Sequence, residues 1–90
     1  MSFGETLKAL RLRSGPSRYR LAQYCGITEA YILRLEKGER SNSSRDVVLM
    51  LGLALLKGSE ALDIWDVDVL LLSAGYAELR TRGDIGLAPA

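Results

Sequence analysis

The residues of this chain that carry chemistry are carboxylates, guanidiniums and hydroxyls. Histidine is absent and Cys25 is the one cysteine. That removes the commonest general base and metal ligand, and with it any multi-cysteine metal site or disulfide framework. Carboxylates do not cluster, and no phosphate-loop glycine pattern is present. The composition therefore predicts neither an enzyme nor a bound cofactor or metal. What stands out instead is YCGITEAYILRLEKGER, Tyr24–Arg40. Between its glycines runs a short helical pattern. Ile27, Ile32 and Leu35 face inward from it, and Glu29, Ala30, Leu33 and Arg34 face outward. That outward face, which opens on a carboxylate, is the candidate working surface.

The elements that must position it belong to a small chain. Ninety residues, nearly half of them apolar, make one domain with enough aliphatic material for a core. No apolar run reaches the roughly 18–20 residues needed to span a bilayer, and the first residues do not read as a signal peptide. A reducing cytoplasm is the expected location. The charge is unevenly spread. Residues 1–45 hold nine Lys/Arg against four Asp/Glu, and residues 46–90 three against seven. A basic half on a nearly neutral chain suits a polyanion-binding face, or a merely solvated surface.

Helical periodicity runs through most of the chain. A first helix is expected at about 2–14, with Phe3, Leu7 and Leu10 on one face. Gly15 and Pro16 end it. Ser17 caps a second helix, about 18–25, and Thr28 caps a third, about 29–37. Gly38 closes the third, and Ser43 with Asp46 has the spacing of a capping box. The fourth helix, about 44–57, is apolar almost all round and is expected to be the most buried. Gly52 inside it points to a close helix–helix approach. Asp63 or Asp66 caps a fifth helix, about 66–75. The expectation is an all-α domain over residues 1–78, followed by a tail, 79–90, without periodicity.

The spacing within the second and third helices is that of a helix-turn-helix. Counting from Arg18, Leu21 is fourth and apolar, and Ala22 is fifth, where two helices cross closely. Gly26 is ninth, where the turn needs a positive φ. Ile27, Ile32 and Leu35 complete the apolar set. Together with LKALR (7–11), SRYRLAQYCGITEAYILRLEKG (17–38) and the aliphatic helix 47–56, the chain resembles the Xre/Cro-like helix-turn-helix family, the phage-repressor type. LLLSAGYAEL (70–79) is similar, more loosely, to a segment that follows this domain in some bacterial regulators. The resemblance implies a five-helix lambda-repressor-like DNA-binding fold. It also implies a pair between Arg11 and Glu36 that ties the first helix to the end of the third.

Carried over residue by residue, the resemblance places helix 28–37 in the major groove, with Thr28, Glu29, Ala30, Leu33 and Arg34 at or near the bases. Arg34 is the strongest candidate for a guanine contact. Ala30 and Leu33 offer apolar contact, with packing against the loop as the other reading of Leu33. Tyr31 bonds a phosphate or packs on the second helix. Ser17 and Arg18 meet a phosphate at the start of the second helix, and Arg40 and Asn42 do so from the following loop. The family usually has Gln at the Arg18 position and an apolar residue at Pro16; both are departures. Arg13, Arg20 and Arg45 are more distant candidates. Glu29 is a dipole-favoured charge or an acceptor for cytosine N4.

Two functions follow. The first is a sequence-specific transcriptional repressor on a roughly palindromic operator in double-stranded DNA. It would be a homodimer through the fifth-helix region, where Trp65, Val67, Val69, Leu70 and Leu72 exceed one buried face; the other reading of that helix is that it closes the core. The second is a helix-turn-helix interaction module (antitoxin, adaptor or assembly component) whose acidic C-terminal half holds a protein partner.

Overall fold

In the computed structural model, which describes residues 2–39 and 44–77, side-chain caps start five helices. They are α1 (Phe3–Ser14), α2 (Arg18–Cys25), α3 (Glu29–Lys37), α4 (Arg45–Lys57) and α5 (Ile64–Ser73). No strand occurs among the described residues, so the expected all-α, five-helix architecture is the observed one. Ser17 accepts from the Arg20 N–H and Thr28 from the Tyr31 N–H, which sets the starts of α2 and α3 where the sequence places them.

Two helix starts carry caps other than those read from the sequence, and α5 is displaced, each for a local reason. Helix α1 begins with a reciprocal capping box not read from the sequence: Glu5 N–H donates to Ser2 Oγ and Ser2 N–H to Glu5 Oε1. The Ser2 N–H, ahead of the Ser2 hydroxyl, holds the Glu5 carboxyl below its ordinary range. Helix α4 is capped by Ser44, whose Oγ accepts from the Val47 N–H, and not by the expected Ser43, which lies outside the described residues. Helix α5 starts earlier than 66 because Asp63 and Asp66 cap each other's backbone N–H. It ends at Ser73, and Gly75 follows at φ 87°.

One core joins all five helices. Leu7, Leu21, Ile32, Leu35, Val48, Leu51, Leu55, Leu70 and Leu71 are fully buried in it. Helix α1 packs on α3 and α5, α4 packs on α5, and α2 lies against both α3 and α4. The close approach expected at Gly52 is present: a Cβ there would sit 3.1 Å from Val67 Cγ1. Helix α4, however, is not buried all round. Val48, Leu51, Gly52 and Leu55 face the core, while Leu53 on the other side is exposed. The expected tail, 79–90, lies outside the described residues.

The closest backbone approach at any described glycine is between α1 and the end of α3. A Cβ on Gly4 would press into the Leu35 carbonyl oxygen and come within 2.7 Å of the Glu36 carbonyl oxygen. Neither atom is a flexible side-chain end that can move aside. Gly4→Ala separates two effects of opposite sign. Helix propensity alone favours alanine by up to ~1 kcal/mol. Overpacking costs about 1–3 kcal/mol. The expected outcome in urea titration is net destabilisation.

Candidate nucleic-acid interface

The outward face of α3 lies over a buried carboxylate. Glu36, in the last turn of α3, accepts from Arg11 Nε at 2.6 Å and from Arg11 Nη2 at 3.3 Å. Arg18 Nε, from the first turn of α2, reaches the same carboxylate at 2.9 Å. The remaining Arg11 nitrogen, Nη1, donates to the Pro16 carbonyl oxygen at 3.3 Å. One carboxylate thus holds α1, α2, α3 and the α1–α2 turn together. The Glu36 and Arg11 side chains are 1% and 9% exposed, whereas Arg18 keeps 33% of its surface in solvent. The resemblance named Arg11 with Glu36. It missed Arg18 as a third member, because the spacing of 18 residues between Arg18 and Glu36 carries no local signal.

The turn between α2 and α3 is made at Gly26, φ 68°, a conformation that is unstrained only for glycine. The Ile27 N–H closes it by donating to the Ala22 carbonyl oxygen at 3.1 Å. Ala22 is buried at the crossing, as the spacing requires. With Ile32 and Leu35 fully buried, α3 has one rotation open to it. Thr28, Glu29, Ala30 and Arg34 are exposed, and Leu33 is half-buried on the same side. Tyr31 is also half-buried and packs against the core. Ser17 is exposed beside Arg18 at the start of α2.

The match to known families fits this geometry. The model of a helix-turn-helix domain family matches residues 2–61, which include the Glu36 cluster, both helices of the motif and all of α4. The chain belongs to this helix-turn-helix family, which is of the Xre/Cro-like type. The family is one of DNA-binding regulators and is typically non-enzymatic. Comparison with curated proteins and with solved structures gave no match. No described helix of this helix-turn-helix protein is long and apolar enough to cross a membrane.

The more distant basic residues divide. Arg13 is occupied elsewhere: Nη1 donates to Asp66 at 3.2 Å and Nη2 to the Ala61 carbonyl oxygen at 3.2 Å, tying α1 to the start of α5. Arg20 is exposed. Arg45 has its Nε buried with no hydrogen-bond partner among the described residues. Arg40 and Asn42 lie outside the described residues. Cys25 is buried, its Sγ 3.9 Å from the Met50 carbonyl oxygen. Burial pushes its thiol up, which suits a packing residue rather than a reactive thiolate.

The cluster makes a stability prediction with an internal control. Glu36→Leu leaves Arg11 buried without its partner, and the expected cost is ~3–5 kcal/mol. Arg11→Met leaves the carboxylate bonded to Arg18, and a smaller cost is expected. The Arg11→Met/Glu36→Leu double variant has no unpaired buried charge and is expected to unfold at higher denaturant than either single variant. Arg18→Ala, on the partly exposed partner, costs the least. A double-mutant cycle by urea denaturation measures all four.

Proposed function

We propose that this helix-turn-helix protein is a sequence-specific repressor that binds a roughly palindromic operator as a homodimer, with α3 in the major groove. The observation that carries this reading is the outward face of α3, Glu29, Ala30, Leu33 and Arg34, held at one rotation by the Glu36 cluster. Arg34 has the length and donor geometry to bond guanine O6 and N7 together. Glu29 can accept from cytosine N4, and Ala30 and Leu33 can meet a thymine methyl. Thr28 stands at the start of this face. Tyr31 reaches a phosphate from its flank.

Phosphates then supply position and much of the affinity. Ser17 and the first N–H groups of α2 suit one phosphate. Arg18 keeps a third of its side chain open to solvent while bonded to Glu36, so it can serve the cluster and a phosphate together. Arg40 and Asn42 are proposed for the backbone on the far side. Dimerisation is assigned to α5, where Trp65, Val69 and Leu72 are 57%, 50% and 52% exposed at the spacing of one helix face. Pairing there would set two recognition helices about one DNA turn apart. The same stripe favours a second reading, an antitoxin or adaptor whose acidic end holds another protein.

Selection of bound sequences from a random DNA pool separates the two. The repressor reading expects a two-fold symmetric motif, and the absence of enrichment favours the interaction module. Arg34→Ala is expected to lower affinity and relax preference at one base pair by ~1–3 kcal/mol. Glu29→Ala is expected chiefly to broaden the selected motif. Arg18→Ala is expected to weaken all sequences alike and to flatten the salt dependence. Val69→Asp, which interrupts the α5 stripe, is expected to turn one cooperative full-site complex into weak half-site binding in a mobility-shift titration.

A further inference from the structure

The fold leaves a second apolar surface that DNA reading does not use. Helix α4 buries Val48, Leu51, Gly52 and Leu55 against the core. Its opposite side carries Leu49, Met50, Leu53 and Ala54, bracketed by Asp46 and Lys57, and with Tyr24 and Gly58 these line a groove of about 640 Å³. Leu53 is 43% exposed and Tyr24 64%. A helix that is apolar on every side is ordinarily buried on every side. Here α1, α2 and α5 pack around the inner side of α4; on the outward side Leu49, Met50 and Ala54 are half-buried at the edge of the core and Leu53 is exposed.

We propose that this outward side of α4 is an interface for a second copy of the chain, packed antiparallel about a two-fold axis and separate from the α5 stripe. The register is self-complementary. Asp46, Met50, Leu53 and Lys57 follow the alternating four- and three-residue spacing of a helix–helix seam. Each seam residue also has a counterpart equally far from the midpoint between Leu51 and Gly52. A two-fold axis through that midpoint sets Met50 against Leu53, Leu49 against Ala54 and Asp46 against Lys57, twice each. A parallel pairing would instead set Asp46 on Asp46 and Lys57 on Lys57. Asp46 and Lys57 also lie at the helix ends whose dipole favours their charges. The dipole does not account for the apolar residues between them or for their symmetric placement.

Helix α4 is about 20 Å long, so the interface falls in the small, weak class below ~1,200 Å². Such a contact acts at high local concentration. Joined to a different two-fold contact at α5, it would link dimers into a row along DNA. The α4 pairing does not itself depend on the DNA reading.

Charge reversal tests the register in the full chain carrying Val69→Asp, which removes α5 pairing. Asp46→Lys and Lys57→Asp are each expected to weaken self-association in sedimentation equilibrium by about ten-fold or more, through like charges brought together. An equimolar mixture of the two is expected to associate at least as well as the unreversed chain, because both pairings in the mixed dimer are attractive. The Asp46→Lys/Lys57→Asp double variant is expected to recover as well. Leu53→Lys, at an exposed position, is expected to abolish association with helical circular dichroism unchanged, which keeps the test open should a reversed variant unfold. A chain that stays monomeric at millimolar concentration overturns the proposal, as it would if a small amphiphile or another protein fills the groove. A mixture no tighter than the separate variants, or a Leu53→Lys chain that associates like its parent, overturns it too.

Discussion

The structure depends on keeping one carboxylate fully hydrogen-bonded inside a small core. Glu36 accepts from two arginines contributed by two different helices. A charge taken out of water in this way is destabilising unless its partners are in place, so the three N-terminal helices are coupled to one another. Helix α1 cannot leave without exposing Leu7 and leaving Glu36 with Arg18 alone of its two arginines. Helix α3 cannot rotate without pulling its last turn off both guanidiniums. Gly4 lets the α1 backbone close against that same last turn, which keeps Arg11 within bonding reach.

Under the proposed DNA reading this coupling matters because the outward residues of α3 are few. In a helix of nine residues, a small rotation carries Arg34 and Glu29 off any target they read. Ile32 and Leu35 set the rotation through burial, and the Glu36 cluster adds a directional restraint that apolar packing lacks. Arg18 spends its Nε on Glu36 while part of its side chain remains in solvent. Elsewhere the fold makes separate provision. Arg13 and Asp66 tie α1 to α5, and Ser14 Oγ donates to the Leu55 carbonyl oxygen at 2.9 Å, tying α1 to the end of α4.

Most of the fold was legible in the sequence because its signals are local. Ser17 and Thr28 read as caps and act as caps, Asp63 proves to be the cap of the two aspartates open at α5, and Gly15 and Gly26 read as left-handed and are so. The Ser2–Glu5 capping box has the expected spacing at the start of the chain and was open to the same reading. What escaped was long-range. The bond from Arg18 to Glu36 and the pressure of Gly4 on α3 join positions that no periodicity relates. The apolar excess of α4 misled in a physical way: composition shows how much a helix could bury, but only the placement of α1, α2 and α5 shows which side they cover. The candidate site was legible as a face, through the rotation imposed by Ile27, Ile32 and Leu35. Its chemistry at Arg40 and Asn42 rests on the sequence alone.

The central claim, that the Glu36 carboxylate is the fastener of α3, is tested most directly by amide hydrogen exchange on Glu36→Gln. The substitution keeps the side chain's shape and removes its charge. The account predicts that protection falls most in α3 and in the part of α1 facing it, with α4 and α5 retaining theirs. Uniform loss across all five helices, or unchanged protection in α3, would contradict it.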